Sequence, residues 1–201
     1  VQGLVGGQLG RFGLDGTPGL PAQFPGLKRM MDFMPVIKKL LSDPLVFAQY
    51  AGQLRLRTYQ QVVARTVVDS VMHRRGLTLV VMFPRQSGKN ELQAQLEAYL
   101  LMLFSEEGGE MVKVSPTWKP QAQNAMRRLE RVLDNNLLMR RRWEKGSGYL
   151  YRVGQAHIAF FSGAPEANIA GATASILLEV DEAQDVAIDK YDRDIAPMAA
   201  S

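Results

Sequence analysis

Cysteine is absent from the 201 residues, which excludes both disulfides and thiolate metal sites. Histidine is scarce: His73 and His157 stand far apart with no metal partner in the pattern, and both read as surface or locally satisfied groups. No apolar run reaches membrane-spanning length, and the N-terminus lacks the apolar core of a signal peptide. The expectation is a soluble, intracellular protein. Neither sign of charge prevails strongly. The 24 Lys and Arg against 20 Asp and Glu leave a net charge of +4, with an isoelectric point near 9.4. That balance permits a polyanionic partner without demanding one. Hydrophobic content of 46% and charged content of 22% are ordinary for a globular chain long enough for one α/β domain with a full core. No internal repeat is visible.

Glycine and proline mark the divisions. Residues 1–26 carry Gly6-Gly7, Gly16-Thr17-Pro18-Gly19 and Phe24-Pro25-Gly26, and they read as a flexible arm. Residues 27–57 form a helical N-terminal extension. In it Leu27, Met30, Met31, Met34, Ile37, Leu40 and Leu41 recur at helical spacing, and Pro35 is expected to kink or split the helix. The methionines read as packing. Residues 58–201 form the main domain. Its first helix is expected to be capped by Thr58 and to run to His73, with Arg74-Arg75-Gly76 as its stop signal.

The centre of that domain is Leu77-Thr78-Leu79-Val80-Val81-Met82-Phe83-Pro84-Arg85-Gln86-Ser87-Gly88-Lys89-Asn90. The apolar run suits a strand buried on both faces, as in a parallel sheet. The loop and Lys89 that follow open a helical pattern with Leu92, Leu96, Leu100 and Leu103 on one face. Strand, phosphate-sized loop, lysine and helix make the layout of a P-loop, in which backbone N–H groups and a helix N-terminus converge on phosphate oxygens. Phe83 stands where the pattern has its first glycine, and Asn90 where it has a hydroxyl. The alternative is an ordinary strand–turn–helix.

A second stretch complements the first. Ser175-Ile176-Leu177-Leu178-Glu179-Val180-Asp181-Glu182-Ala183-Gln184-Asp185 is another apolar strand, tipped by adjacent acids. Nucleotide hydrolysis needs one acid to hold Mg²⁺ and another to orient the attacking water. Acids also favour helix starts, but a phosphate loop roughly 90 residues upstream favours the chemical reading: the chain binds ATP. Glu179 is out of place, because an unpaired acid inside an apolar strand is costly.

Between these stretches, Glu110 to Val114 reads as a strand and Gln121 to Leu138 as a basic helix with Arg127, Arg128 and Arg131, followed by Arg140-Arg141-Arg142. That charge run is a solvated face, a set of DNA phosphate contacts, or the source of an arginine finger. Tyr149 to Val153 and Ala156 to Phe161 read as a hairpin around Gly154-Gln155. The order predicts an α/β fold: a RecA-like P-loop NTPase core, a mostly parallel sheet flanked by helices, incomplete at its C-terminal end.

Leu56-Arg57-Thr58-Tyr59-Gln60, Pro84 to Asn90, Val114-Ser115-Pro116-Thr117 and Leu178 to Asp185, in this order, resemble the large terminase subunit of tailed bacteriophages. The resemblance covers most of that family's N-terminal ATPase domain, from about residue 45 onward. The family's RNase H-like nuclease domain has no counterpart, so DNA cutting is not expected. By position, the resemblance implies that Tyr59 and Gln60 bind adenine. Pro84, Arg85, Gln86, Ser87, Gly88, Lys89 and Asn90 form the phosphate loop, with Arg85 sensing the γ-phosphate and Lys89 neutralising charge. Asp181 and the side-chain oxygen of Asn90 face Mg²⁺, and Glu182 is the catalytic carboxylate. A trans-acting arginine would come from Arg127, Arg128 or Arg131. The implied activity is ATP hydrolysis driving double-stranded DNA into a procapsid, in the host cell cytoplasm and without a membrane. The implied partners are the portal protein, the small terminase subunit and further copies of the chain in a pentameric ring. Asp181-Glu182-Ala183-Gln184 and Tyr59-Gln60 also resemble the DEAD-type box and Q-motif of superfamily-2 helicases. The third reading is a non-catalytic module that binds nucleic acid or a partner protein.

Overall fold

The computed structural model describes residues 25–169 and 171–199; the predicted arm over 1–24 lies outside them. Backbone contacts divide the chain into two units, Val1–Val36 and Ile37–Ser201. The described part of the first is helical. Helix α1 (Pro25–Leu41) starts at Pro25, so Pro25 and Gly26 open a helix rather than ending an arm, and it runs through Pro35 without being split.

The second unit is α/β, with a five-stranded mixed sheet flanked by helices. Asp43 starts α2 (Pro44–Val46) by accepting the Leu45 amide on its side chain at 2.7 Å, with proline at the first helical position. A wide π-type turn, Phe47–Ala51, follows. Helix α3 (Thr58–Met72) is capped one residue earlier than predicted: Arg57 holds the capping position, and its amide donates to Gln60 Oε1 at 2.9 Å. Helix α4 (Lys89–Leu103) is buried on nearly every side from Leu92 to Met102, which explains why its sequence is apolar well beyond a single stripe. Strand β1 (Gly109–Ser115) comes next. Helix α5 (Gln123–Asn135) then buries Met126, Leu129, Val132 and Leu133 and leaves Arg127 and Arg131 outside. The chain continues through β2 (Trp143–Lys145), β3 (Leu150–Val153), β4 (Ala156–Ser162), β5 (Leu177–Val180) and α6 (Ile188–Lys190).

The strand order is β2-β3-β4-β1-β5. Strands β4, β1 and β5 are parallel, with Val112 opposite Ala159 on one side and Leu178 on the other. The expected hairpin is β3–β4, and β2 extends it antiparallel. Strand β1, with neighbours on both sides, is buried from Met111 through Ser115, as a central parallel strand should be.

One expectation fails. Leu77–Phe83 is not a strand of this sheet and has no ladder partner among the described residues. Leu77, Leu79, Val80, Val81 and Met82 are exposed, Val80 and Met82 by more than four-fifths (85% and 88%). The physical reason lies in the ladder. Strand β1 has both edges filled by β4 and β5, and the outer edge of β5 is left unpaired among the described residues. An apolar run reports what its residues would gain from burial, and says nothing of whether a neighbouring strand is present.

A buried polar cluster ties the layers together. Lys113, in the middle of β1, donates to Glu97 of α4 at 2.6 Å and to Glu179 of β5 at 2.9 Å. Both Lys113 and Glu97 are almost wholly buried. Burial pushes the Glu97 carboxyl up to about 8, against the pull of the Lys113 ammonium and with the Glu179 charge adding to it. Its second oxygen, Oε2, has no hydrogen-bond partner. Lys113 is raised: burial opposes its charge, and the two carboxylates outweigh that. Removing the cation alone strands two buried acids, so Lys113→Met is expected to cost about 3–5 kcal/mol in urea unfolding. Adding Glu97→Leu and Glu179→Leu to it should restore most of the loss, because an apolar replacement of the whole cluster is close to neutral. The pH dependence has a definite sign. A carboxyl raised in the folded state binds more protons there than in the unfolded chain, so its contribution is greatest below the ordinary value of 4.5 and declines as pH rises to about 8. Glu97→Gln should flatten that slope in unfolding measured across this range.

Candidate functional site

The loop Pro84–Gly88 leads into the first turn of α4 with Gly88 at its cap in a left-handed conformation (φ +82°) and Gln86 also at positive φ (+60°). The Ser87 amide folds back to the Pro84 carbonyl at 3.3 Å. No side chain caps this helix, so the amides of its first turn, which have no intrahelical acceptor, stay open to an anion. Ser87 is buried with its hydroxyl oxygen unpartnered.

Tyr59 and Gln60, at the start of α3, hold this loop from behind. The Tyr59 hydroxyl donates to the Ser87 carbonyl at 2.8 Å, and Gln60 Nε2 donates to the carbonyls of Ser87 (3.3 Å) and Gly88 (3.1 Å). The Tyr59 ring stands edge-on to Phe83, centroids 5.3 Å apart. The packing also explains the glycine. A Cβ on residue 88 would lie 2.8 Å from Gln60 Nε2, on a backbone that side chains avoid.

The acid-tipped strand meets the loop. Lys89 Nζ lies 3.0 Å from Asp181 Oδ1 and is hydrogen-bonded to Glu182 Oε1, a residue 93 positions away in sequence. Asp181 is buried and keeps its place through its amide, which donates to the Val114 carbonyl of β1 at 2.9 Å. Glu182 sits at φ +48°, which turns its carboxylate toward the loop; Gln184 Nε2 donates to its other oxygen at 2.7 Å. These contacts shift both charges. Burial weakens the Lys89 ammonium, but its hydrogen bonds to Glu182 and Asp181 outweigh that and raise it. The bonds from Lys89 and Gln184, with the Arg85 charge nearby, hold the Glu182 carboxyl below the usual range.

Arg85 and Asn90 are exposed beside the loop. Of the three candidate arginines, Arg128 is engaged within its own chain, 3.0 Å from Glu91 in the first turn of α4. Arg127 and Arg131 are exposed on α5. Composition and spacing do not single out Gln93, whose Nε2 reaches Asp181 Oδ1 at 3.4 Å, or the Lys113 cluster below it. Their signal is nonetheless present: positions 89, 93 and 97 are polar and one helical turn apart on α4. Lys113 and Glu179 are each an isolated charge in an apolar strand, and each explains the other.

The arrangement fits a nucleotide triphosphate. An uncapped helix N-terminus, a backbone in left-handed turns, an orphaned buried hydroxyl and a lysine aimed across the loop suit phosphate oxygens. Among the described residues no cluster of three or more acidic or imidazole side chains forms a metal cage. A cavity of about 370 Å³ opens at the carboxyl ends of β1 and β4, lined by Thr117, Gln121, Gly163 and Asp185 among others.

Comparison with protein-family models, with curated proteins and with solved structures finds no match for the chain. Among the described residues no helix is long and apolar enough to cross a membrane.

The loop geometry predicts the effect of a single methyl. Gly88→Ala should destabilise the domain by about 1–2 kcal/mol through its left-handed backbone and push Gln60 off the loop carbonyls through the contact its Cβ would make. Thermal unfolding should show the loss as a lowered melting temperature.

Proposed function

We propose that this chain is a RecA-like P-loop ATPase domain that hydrolyses Mg-ATP, and that it serves a viral DNA-packaging motor. The observation that carries the first part is the meeting of Lys89 with Asp181 and Glu182 across the end of the sheet. Distant stretches, a phosphate-type loop and an acid pair, converge at the carboxyl end of β5, where open α/β sheets bind ligands. The second part is supported by the resemblance of four ordered motifs to the large terminase subunit.

In this reading, the open amides of α4 and the Ser87 hydroxyl bind phosphate oxygens. Lys89 leaves the carboxylates and neutralises charge on the β- and γ-phosphates. Glu182 orients a water for attack on the γ-phosphorus and draws on its proton as the bond to the β–γ bridging oxygen breaks, yielding ADP and phosphate. A bound Mg²⁺, held by Asp181 with Asn90 near it, would supply electrostatic stabilisation of the phosphate charge. Glu182 is held ionised by its environment, the state a water-orienting base requires.

Steady-state ATP hydrolysis tests this directly. Lys89→Ala should lower turnover by about 100-fold or more by removing a charge that acts in the transition state. Glu182→Gln should lower it by about 10²–10⁴-fold while leaving nucleotide binding intact. Full activity in both variants would sink the assignment. Activity per molecule that rises with protein concentration would indicate that a neighbouring copy completes the site.

A further inference from the structure

The turn that follows α5 is built to present charge. Asn136 and Met139 are fully buried and pin it from inside. Its backbone is tied by Met139 N to the Asn136 carbonyl (3.1 Å), Arg140 N to the same carbonyl (3.0 Å) and Arg142 N to the Met139 carbonyl (2.7 Å). Leu137 N anchors the turn to the Ala51 carbonyl at 2.9 Å, and the Asn136 side chain accepts the Leu138 amide at 2.9 Å. On this scaffold Arg140, Arg141 and Arg142 are all exposed. With Leu137 and Leu138 they line a concavity of about 300 Å³. None of the three makes an ion pair among the described residues, whereas nearby Lys145 is neutralised by Glu130 and Arg128 by Glu91. Three adjacent like charges repel one another, and a merely solvated stretch would need no such anchoring.

From these observations we propose that the Arg140–Arg142 turn is a docking surface for the phosphodiester backbone of double-stranded DNA. A rigid set of unpaired guanidiniums matches closely spaced phosphates and releases their counterions. The concavity is lined by no aromatic ring, and nearby Trp143 is occupied, edge-on to Tyr151 and donating to Asp134. A surface without stacking platforms reads phosphates rather than unstacked bases, which favours a duplex over a single strand. Topology places it apart from the nucleotide. Helix α5 leaves the carboxyl end of β1 and runs back, so the turn lies toward the amino ends of the parallel strands, where β2 begins.

The choice of duplex DNA rests on the packaging-motor reading; the phosphate surface does not. The test is fluorescence anisotropy of a labelled 30-base-pair duplex (a length of about three helical turns) with the whole chain over a range of salt. Replacing all three arginines by alanine should weaken binding at least tenfold near physiological salt and lower the slope of log affinity against log salt by about 2.5. Replacing all three by lysine, which preserves charge, should retain most of the slope. An unchanged slope in the alanine variant, or a lysine variant as weak as the alanine one, overturns the proposal. So does wild-type binding that is absent, or tighter for single-stranded DNA or RNA than for the duplex. ATP binding and turnover should be unaltered in all variants. A lost ATPase reading with an intact salt effect would leave this surface standing, and the reverse outcome would leave the ATPase standing.

Discussion

A single ammonium group, Lys113, sits between two carboxylates brought from different elements, and the site depends on that meeting. It fixes β1 against β5 in register, because a one-residue slip would turn Lys113 or Glu179 to the opposite face of the sheet. It also holds α4, through Glu97, over the same face. The helix that carries the phosphate loop and the strand that carries the acid pair are thereby locked to one central strand. The rungs above continue the alignment: Gln93 to Asp181, then Lys89 to Asp181 and Glu182. A buried ion cluster of this kind adds little net stability. Its return is positional.

The loop and the acid strand are complementary before any ligand arrives. The Lys89 charge is satisfied by the two carboxylates that the proposed reading assigns to nucleotide chemistry, so a phosphate there would compete with them for the same cation. Binding would therefore release Asp181 and Glu182 for their own tasks in the act of engaging Lys89. The engagement of Arg128 by Glu91 shows a similar economy, since the arginine is held close to the loop by an acid of the same helix turn.

Much of this is legible in the chain. The hairpin, β1, α4 and the acid strand follow from apolar runs and their punctuation, and the loop and the acids, which the fold brings together, stand out by residue type and order. Three things are not legible, each for a physical reason. The Arg57 cap yields to the Gln60 side chain, which serves the helix end while also bonding the loop. Strand β2 is too short and too polar at Glu144-Lys145 to stand out by pattern, and it forms because β3 offers it an edge. The Leu77–Phe83 run has the composition of a buried strand yet lies exposed, because burial requires a partner and composition does not name one. The Lys113 cluster shows in the sequence only through Glu179, an acid out of place in an apolar strand, and the fold supplies its partners.

That exposed run also determines how the candidate site is wired to the rest of the unit. The segment entering the loop contributes no rungs to the ladder, so the sheet cannot transmit a displacement of the loop through it. The contacts that hold it are Tyr59 and Gln60, which bond the Ser87 and Gly88 carbonyls, and α4, whose Lys89 and Gln93 reach the acids at the end of β5. A push on the loop is thus passed to α3 and α4, and reaches the sheet through side chains rather than through the ladder.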